Sequence, residues 1–325
     1  MKHAAWIRYA VLAWAAAAVA SPAVAQDSFP SAPIRLVVGF APGAIADSAS
    51  RLIGQRVAGQ MNAAVVVENR TGANGNIAAD YVAKSKPNGY TLLFNTMTIV
   101  LSPAAGQRTG YDVLKDLVPV ARAVYAPNLI ALHPAVPANS LAEFLSYVRA
   151  SSGKVSYSSA GTGSPSHLGM VLLLQAHNLS AVHVPYKGAG PALLDVAGGH
   201  VQFTMAGLTG VLPLLKDKRV KVVAITSLKR SALLPEVPAL AESMPGFEMV
   251  VWLGVMAPAD TPPAVVKKLN LEFVKALQDN EIQSRLAQQG AEPSPSSPEE
   301  YGAYIRKELE RWSAVFKSTG IKLED

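Results

Sequence analysis

Ile34-Arg35-Leu36-Val37-Val38-Gly39-Phe40-Ala41-Pro42-Gly43-Ala44-Ile45-Ala46-Asp47 runs from a β-branched apolar stretch, through a loop holding Gly and Pro, into a helical pattern. The near-continuous apolar run predicts a strand buried on both faces, as in a mostly parallel sheet. An amphipathic helix is predicted from Asp47 to Gln60, and Val65-Val66-Val67-Glu68 supplies the next strand. Strand, loop, helix and strand in that order mark an α/β architecture.

The alternation continues outward from this stretch. A helix is predicted over Gly75 to Lys84 and a third strand at Leu92-Leu93-Phe94. A second series starts at the strand Leu129-Ile130-Ala131-Leu132, followed by a helix from Leu141 to Ala150. Ser140 caps that helix, with Glu143 three residues later as its capping-box partner. Val155-Ser156-Tyr157 then leads into a Gly- and Ser-rich loop and the helix Ser166 to His177. Val182-His183-Val184 and Val222-Val223-Ala224-Ile225 read as further strands. Two helices, Pro263 to Gln278 and Pro298 to Ser318, close the chain across a Pro/Ser-rich turn at Glu292 to Pro298. Two α/β series suggest two lobes.

The chain has 325 residues, 50% hydrophobic and 16% charged, a globular composition with a large core. It contains no Cys, which excludes disulfides, thiolate metal sites and a Cys nucleophile. Lys2 and Arg8, the apolar run Tyr9 to Ala20, and Ala23-Val24-Ala25 before Gln26 form a secretory signal cleaved after Ala25. That run is shorter than the roughly 20 residues a membrane span requires. Without Cys at the junction, a lipoprotein anchor is excluded. Removing Lys2 and Arg8 takes the formal charge from +6 to +4 (6 − 2). A modest positive excess favours small anions, and its dispersal argues against nucleic acid. The densest basic run, Lys216 to Lys221, reads as a solvated helix end before a strand.

Two loops carry chemistry. The Gly39 to Asp47 loop opens a helix, whose unpaired N–H groups can bind carboxylate or phosphate without a charged side chain. An ordinary βα turn has the same pattern, and the local sequence does not separate the two. The second loop is Ser158-Ser159-Ala160-Gly161-Thr162-Gly163-Ser164-Pro165-Ser166-His167. Its small residues permit close backbone approach, and its hydroxyls can donate to an anion. It lacks the Gly-Lys-Ser/Thr of a phosphate loop, the third Gly of a dinucleotide fingerprint and the Gly-x-Ser-x-Gly of a nucleophile elbow. Ser164 or Ser166 beside His167 leaves an exported serine hydrolase as an alternative. His133, His183 and His200 show no zinc-site spacing. Trp252 and Trp312 read as packing residues.

In chain order, several segments together resemble one family. They include Phe29-Pro30-Ser31-Ala32-Pro33-Ile34-Arg35-Leu36-Val37-Val38, Phe40-Ala41-Pro42-Gly43, Val65-Val66-Val67-Glu68-Asn69-Arg70 and Gly75-Asn76-Ile77-Ala78-Ala79-Asp80. Pro87-Asn88-Gly89-Tyr90-Thr91-Leu92-Leu93, Gly161-Thr162-Gly163-Ser164-Pro165-Ser166-His167-Leu168 and His183-Val184-Pro185-Tyr186-Lys187-Gly188 continue the series. Pro235-Glu236-Val237-Pro238 and Trp252-Leu253-Gly254-Val255-Met256-Ala257-Pro258 complete it. The mature chain resembles the Bug-type receptors of tripartite tricarboxylate transporters, a class of periplasmic solute-binding proteins.

The resemblance implies a periplasmic-binding-protein-like α/β fold, with two lobes closing on a hinge around an interlobe ligand cleft. Residues 26–125 and 253–325 would form lobe 1 and residues 126–252 lobe 2. The crossings would fall near Ala126 to Leu132 and Val251 to Ala257. It implies a monomeric, non-enzymatic receptor without cofactor or metal that passes a di-, tri- or aromatic carboxylate to integral membrane permease subunits. A sensory role through a membrane signalling protein is a further alternative. By resemblance, Phe40, Ala41, Gly43, Ala44 and Asp47 would meet the ligand, Asp47 as a helix cap, with Thr96, Met97 and Thr98 beside them. The other lobe would offer Ser159, Gly161, Thr162, Gly163, Ser164 and His167, while Lys187 adds charge or sits on the rim. Ala44 stands where many relatives have Gly, so a slightly less open loop is expected. Thr204 and Ala206 would also meet the ligand. Met205, Ala206 and Gly207 make a small apolar wall where relatives commonly have an acidic or amide residue, which favours a ligand with an apolar or aromatic body over an amino acid.

Overall fold

The computed structural model describes residues 29–151 and 153–322, so the signal segment expected at 1–25 lies outside the described residues. In chain order, β1 (Ile34–Val38) leads into α1 (Ile45–Met61), β2 (Val65–Asn69), α2 (Asn76–Ala83), β3 (Thr91–Thr96) and α3 (Thr98–Ala104). Next come β4 (Leu117–Leu132), α4 (Leu141–Ala150), β5 (Ser156–Ser159), α5 (Pro165–Ala176) and β6 (Val182–Pro185). After these stand α6 (Ala189–Ala197), β7 (Phe203–Gly207), α7 (Leu208–Lys216) and β8 (Lys221–Ile225). The last elements are β9 (Val250–Pro258), α8 (Pro263–Leu277), α9 (Asn280–Gln288), β10 (Glu292–Pro293) and α10 (Pro298–Thr319).

The apolar run of β1 has the predicted place: it lies between β2 and β3, parallel to both. β3 then pairs antiparallel with β9, and β9 with β4, while β10 covers Val124 and Tyr125 of β4. β4 is shared between two sheets. Its Pro127 is paired with Val250 of β9 in the first, and its Asn128 with Gly207 of β7 in the second. The second sheet places β4 between β7 and β8, with β5 and β6 beyond β7. β9 is paired along its length in the first sheet, and the chain reaches it at Met249, whose N–H bonds Thr226 at 3.0 Å.

Burial on both faces explains why these strands lack alternation. Leu36 and Val38 face a core with Leu52, Ile53, Leu269 and Phe273. Val37 faces another with Val82, Val100, Ile305 and Trp312. That second core continues beneath the other sheet through Ile130, Leu132, Phe144 and Phe203. Leu129 and Ala131 face the opposite way, onto Leu193, Val196 and Val211. Each buried Leu, Val or Phe contributes roughly 1.5–3 kcal/mol, so the shared core holds both layers to β4.

Helix starts follow the expected side chains. The Ser140 hydroxyl accepts the Glu143 N–H at 3.2 Å, but the Glu143 carboxylate takes the Asn139 N–H at 2.6 Å, one residue before the box partner expected. At α10, Ser297 and Glu300 form the full reciprocal box. Lys216 ends α7 and Lys221 begins β8.

Candidate functional site

β1 delivers the chain into the Gly39–Ala44 loop, and α1 begins with no side-chain cap at Ala44. Ala44 holds φ −66°, ordinary extended backbone, so alanine replaces glycine there without strain. Gly43, at φ +86°, is the position that needs glycine. Asp47 is buried in the first turn, where its carboxylate accepts Gly43 N–H at 3.0 Å, Asn69 Nδ2 at 2.8 Å and Arg51 Nε at 3.0 Å. Burial pushes this carboxyl up, but Arg51, Gly43 and Asn69 outweigh it and hold it below its ordinary value. Asp47 is therefore a committed anion that secures the loop. Among the described residues no hydrogen bond engages the N–H groups of Ile45 and Ala46, which stand at the positive helix end.

A second loop lies against the first. Gly39 approaches Gly75 so closely that a Cβ at Gly39 would stand 2.5 Å from the Gly75 Cα. The chain there takes four successive positive φ values: Gly72 at +123°, Ala73 at +45°, Asn74 at +55° and Gly75 at +90°. For Ala73 that conformation costs roughly 1–2 kcal/mol. Behind it, Asn76 donates to Ser102 Oγ at 2.9 Å and accepts from Tyr111 Oη at 2.8 Å. Burial and Asp80 push the Tyr111 phenol far up. Thr96 and Thr98 hydroxyls bond each other at 2.8 Å.

From the other sheet, the Ser159–His167 loop consumes most of its own donors. Ala160 N–H goes to Ser166 Oγ at 3.0 Å, Gly161 N–H to Ser159 Oγ at 3.2 Å and Ser164 N–H to Gly161 O at 3.1 Å. Gly163 N–H goes to His167 Nδ1 at 2.9 Å. Thr162 is left over: neither its N–H nor its hydroxyl has a hydrogen bond among the described residues.

The loops enclose a cleft of about 470 Å³. Phe40, Ala73, Asn74, Thr98, Leu101 and Ser102 line one side and Ala160 through Pro165 the other, and none of these described residues carries an ionised side chain. Of the residues expected at a ligand, Phe40, Thr98, Gly161, Thr162, Gly163 and Ser164 meet here. Thr96 borders a void of about 10 Å³ behind Phe40 and Thr98. Ala41, Gly43, Ala44 and Asp47 are outside the lining, in the first loop and the start of α1. Met97, Ser159, His167, Thr204 and Ala206 are buried behind the cleft surface. Thr204 bonds Ser158 O at 2.8 Å within the sheet, and Lys187 is exposed outside the lining. The apolar wall comes instead from Phe40, Ala73, Leu101 and Pro165. Ala73, Asn74, Leu101 and Ser102 were missed, although Gly72-Ala73-Asn74-Gly75 carries the Asn-Gly signal of a tight turn.

This cleft can be set beside known proteins. The profile described as tripartite tricarboxylate transporter family receptor matches residues 49–321. The chain belongs to that receptor family. Protein BugT of Bordetella pertussis is similar to the receptor at 34% identity, over 95% of this chain and 96% of that one. The structure of Rpa4515 from R. palustris with adipate is 34% identical, covers 90% of the receptor and 99% of its own chain, and superposes with TM-score 0.79. MatC (Rpa3494) from Rhodopseudomonas palustris with bound malate is 32% identical, covers 88% and 99%, and gives 0.74.

His167 gives the receptor a pH dependence. Burial, with the neighbouring His183, pulls its pKa from 6.5 down to about 4. The unfolded imidazole binds its proton near 6.5 while the folded one refuses it until about 4, so stability falls as pH drops through that window. The thermal midpoint of the wild type is expected to decline from pH 6.5 to 4 more steeply than that of a His167→Phe variant. Parallel curves would remove His167 as the cause.

Proposed function

We propose that this receptor is a monomeric periplasmic protein, exported by cleavage after Ala25, that closes on a small organic carboxylate and delivers it to a membrane permease. The carrying observation is a cleft whose described lining residues bear no charged side chain and include Thr162, whose N–H and hydroxyl have no hydrogen bond among the described residues. Such donors suit a delocalised anion, and a buried carboxylate bound this way needs no cation. The adipate and malate bound by two similar proteins support the same class. Phe40 and Leu101 favour a ligand whose carboxylates flank an apolar or aromatic body. Asp47, with its oxygens committed, offers nothing to the ammonium of an amino acid.

We assign lobe 1 to residues 26–125 and 253–325 and lobe 2 to 126–252, with β4 as the shared strand. The reading includes no catalysis. The His167 ring takes Gly163 N–H, not a serine hydroxyl, while Ser164 and Ser166 bond each other at 3.0 Å. Ser159 touches His183 at 2.6 Å but is fully buried.

A thermal-shift screen of residues 26–325 against adipate, malate, benzoate, citrate and glutamate tests the proposal. A bound carboxylate at 100 times its Kd is expected to add about 2.7 kcal/mol, with the compound recovered unchanged and glutamate weakest. Consumption of a compound would favour the hydrolase. Absence of any shift across the carboxylates would sink the receptor reading as stated.

A further inference from the structure

Two imidazoles stand unused by the receptor reading, directly behind the Gly161–Gly163 loop. His167 on α5 and His183 on β6 stack with ring centroids 3.9 Å apart and planes 9° from parallel. Tyr157 of β5 continues the column, 5.0 Å from His183, and Phe203 of β7 lies 6.0 Å beyond it. Each imidazole holds one glycine of the loop. His167 Nδ1 accepts the Gly163 N–H at 2.9 Å, which requires its proton to sit on Nε2. His183 Nε2 bonds Ser159 Oγ at 2.6 Å, and Ser159 in turn takes the Gly161 N–H at 3.2 Å. Thr162 lies between these two clamped glycines.

We propose that His167 and His183 act as one stacked pair of positioning residues that hold Gly161 and Gly163 so that the free donors of Thr162 address a bound carboxylate. The inference rests on the carboxylate-receptor reading. Its physical content is the acceptor at His167 Nδ1. Gly161 at φ +128° and Gly163 at φ +74° make the loop pliable by composition, so its shape must come from outside. The column provides that support from largely buried rings on four elements, α5, β5, β6 and β7.

Neutrality of the pair is essential. A protonated His167 turns Nδ1 into a donor facing another donor, and two imidazolium rings at 3.9 Å would repel. The ionisable groups facing the rings are each other and Tyr157; no carboxylate or cation bonds either ring among the described residues. Burial lowers the protonation range of both. Binding is therefore expected to stay constant from pH 8 into mildly acidic solution, and to fall as pH approaches 4.

The test compares wild type, His167→Phe and His167→Asn, with adipate and malate as probes. Phe keeps a stacking ring and removes the acceptor, whereas Asn restores an acceptor near the Nδ1 position. Expected are at least tenfold weaker binding for H167F and recovery to within about threefold for H167N. The H167N affinity should also decline less steeply through the acidic range than that of the wild type, beyond the loss both share as the probes' own carboxylates protonate. Amide hydrogen exchange of the ligand-free proteins gives an independent readout: Gly163 protected in wild type, exposed in H167F and protected again in H167N. Wild-type binding matched by H167F, or a loss that H167N fails to recover, would overturn the inference alone. A wild type that binds no carboxylate overturns the receptor reading and the inference with it.

Discussion

Replacing Glu308 with Ala is expected to lower the unfolding free energy by about 3–5 kcal/mol, the scale of breaking a buried ion pair from one side. Glu308 on α10 is buried, and its Oε2 accepts the indole N–H groups of Trp252 at 3.3 Å and Trp312 at 3.1 Å. Its Oε1 pairs with Arg311 at 3.1 Å, and Arg311 also donates to the main-chain oxygen of Glu248. The Glu248 carboxylate accepts the Tyr125 hydroxyl. One carboxylate thus clasps the last helix to β9 and, through Arg311, to the point where the chain enters it. Alanine leaves two buried N–H donors unpartnered and takes the carboxylate from the Arg311 guanidinium, which keeps only the Glu248 main-chain oxygen. Gln keeps an acceptor for the indoles and should lose distinctly less. Trp6 and Trp14 precede Ala25, so in a protein of residues 26–325 Trp252 and Trp312 are the tryptophans. Urea unfolding followed by their emission reads both indoles directly. A loss under about 1 kcal/mol for E308A would show that water or Arg311 alone replaces the carboxylate.

The same region shows where sequence reading stopped. Ile34–Val38 was legible because both of its faces are buried, and the Ser140 helix start because a hydroxyl before a helix has few other uses. β4 was read only as Leu129 to Leu132, although it begins at Leu117. Pro119 and Pro127 break the apolar pattern, and the strand absorbs its irregularity through register shifts at Pro119/Ala121 and Arg122/Val124. α9 went unseen for another reason: it buries only Ile282 and Leu286, one pair at helical spacing in a polar segment. In the site, Gly161 to Ser164 were legible as a loop. The sequence did not separate Thr162, whose donors are free, from Ser159 and His167, which hold that loop from behind. That distinction depends on hydrogen bonds between β5, β6 and α5, not on residue type.

Gly39→Ala is expected to weaken carboxylate binding roughly 10- to 100-fold, the equivalent of losing one hydrogen bond to a charged group at about 1.5–3 kcal/mol. Gly39 has no positive φ, so alanine is conformationally acceptable there and only the contact matters. The new Cβ would meet the Gly75 Cα at 2.5 Å and its carbonyl oxygen at 3.0 Å. Both are backbone atoms, so no side chain can swing aside. Gly75 cannot retreat towards Phe40 either, because that ring already lies within 3.2 Å of where a Cβ on Gly75 would be. Relief requires the Gly39–Ala44 loop and the Gly72–Gly75 loop to part, carrying Phe40 and Asn74 out of register across the cleft floor. Overpacking of this kind also costs roughly 1–3 kcal/mol of stability. Gly59→Ala separates the two effects, since Gly59 lies exposed in α1 with nothing within 4 Å of its Cβ position. It should raise stability by up to about 1 kcal/mol through helix propensity and leave binding untouched. Calorimetric titration with the strongest carboxylate of the thermal-shift screen, beside urea unfolding of both variants, makes the comparison. Wild-type affinity in G39A would mean that the two loops move independently, and that the cleft floor is set by α1 alone.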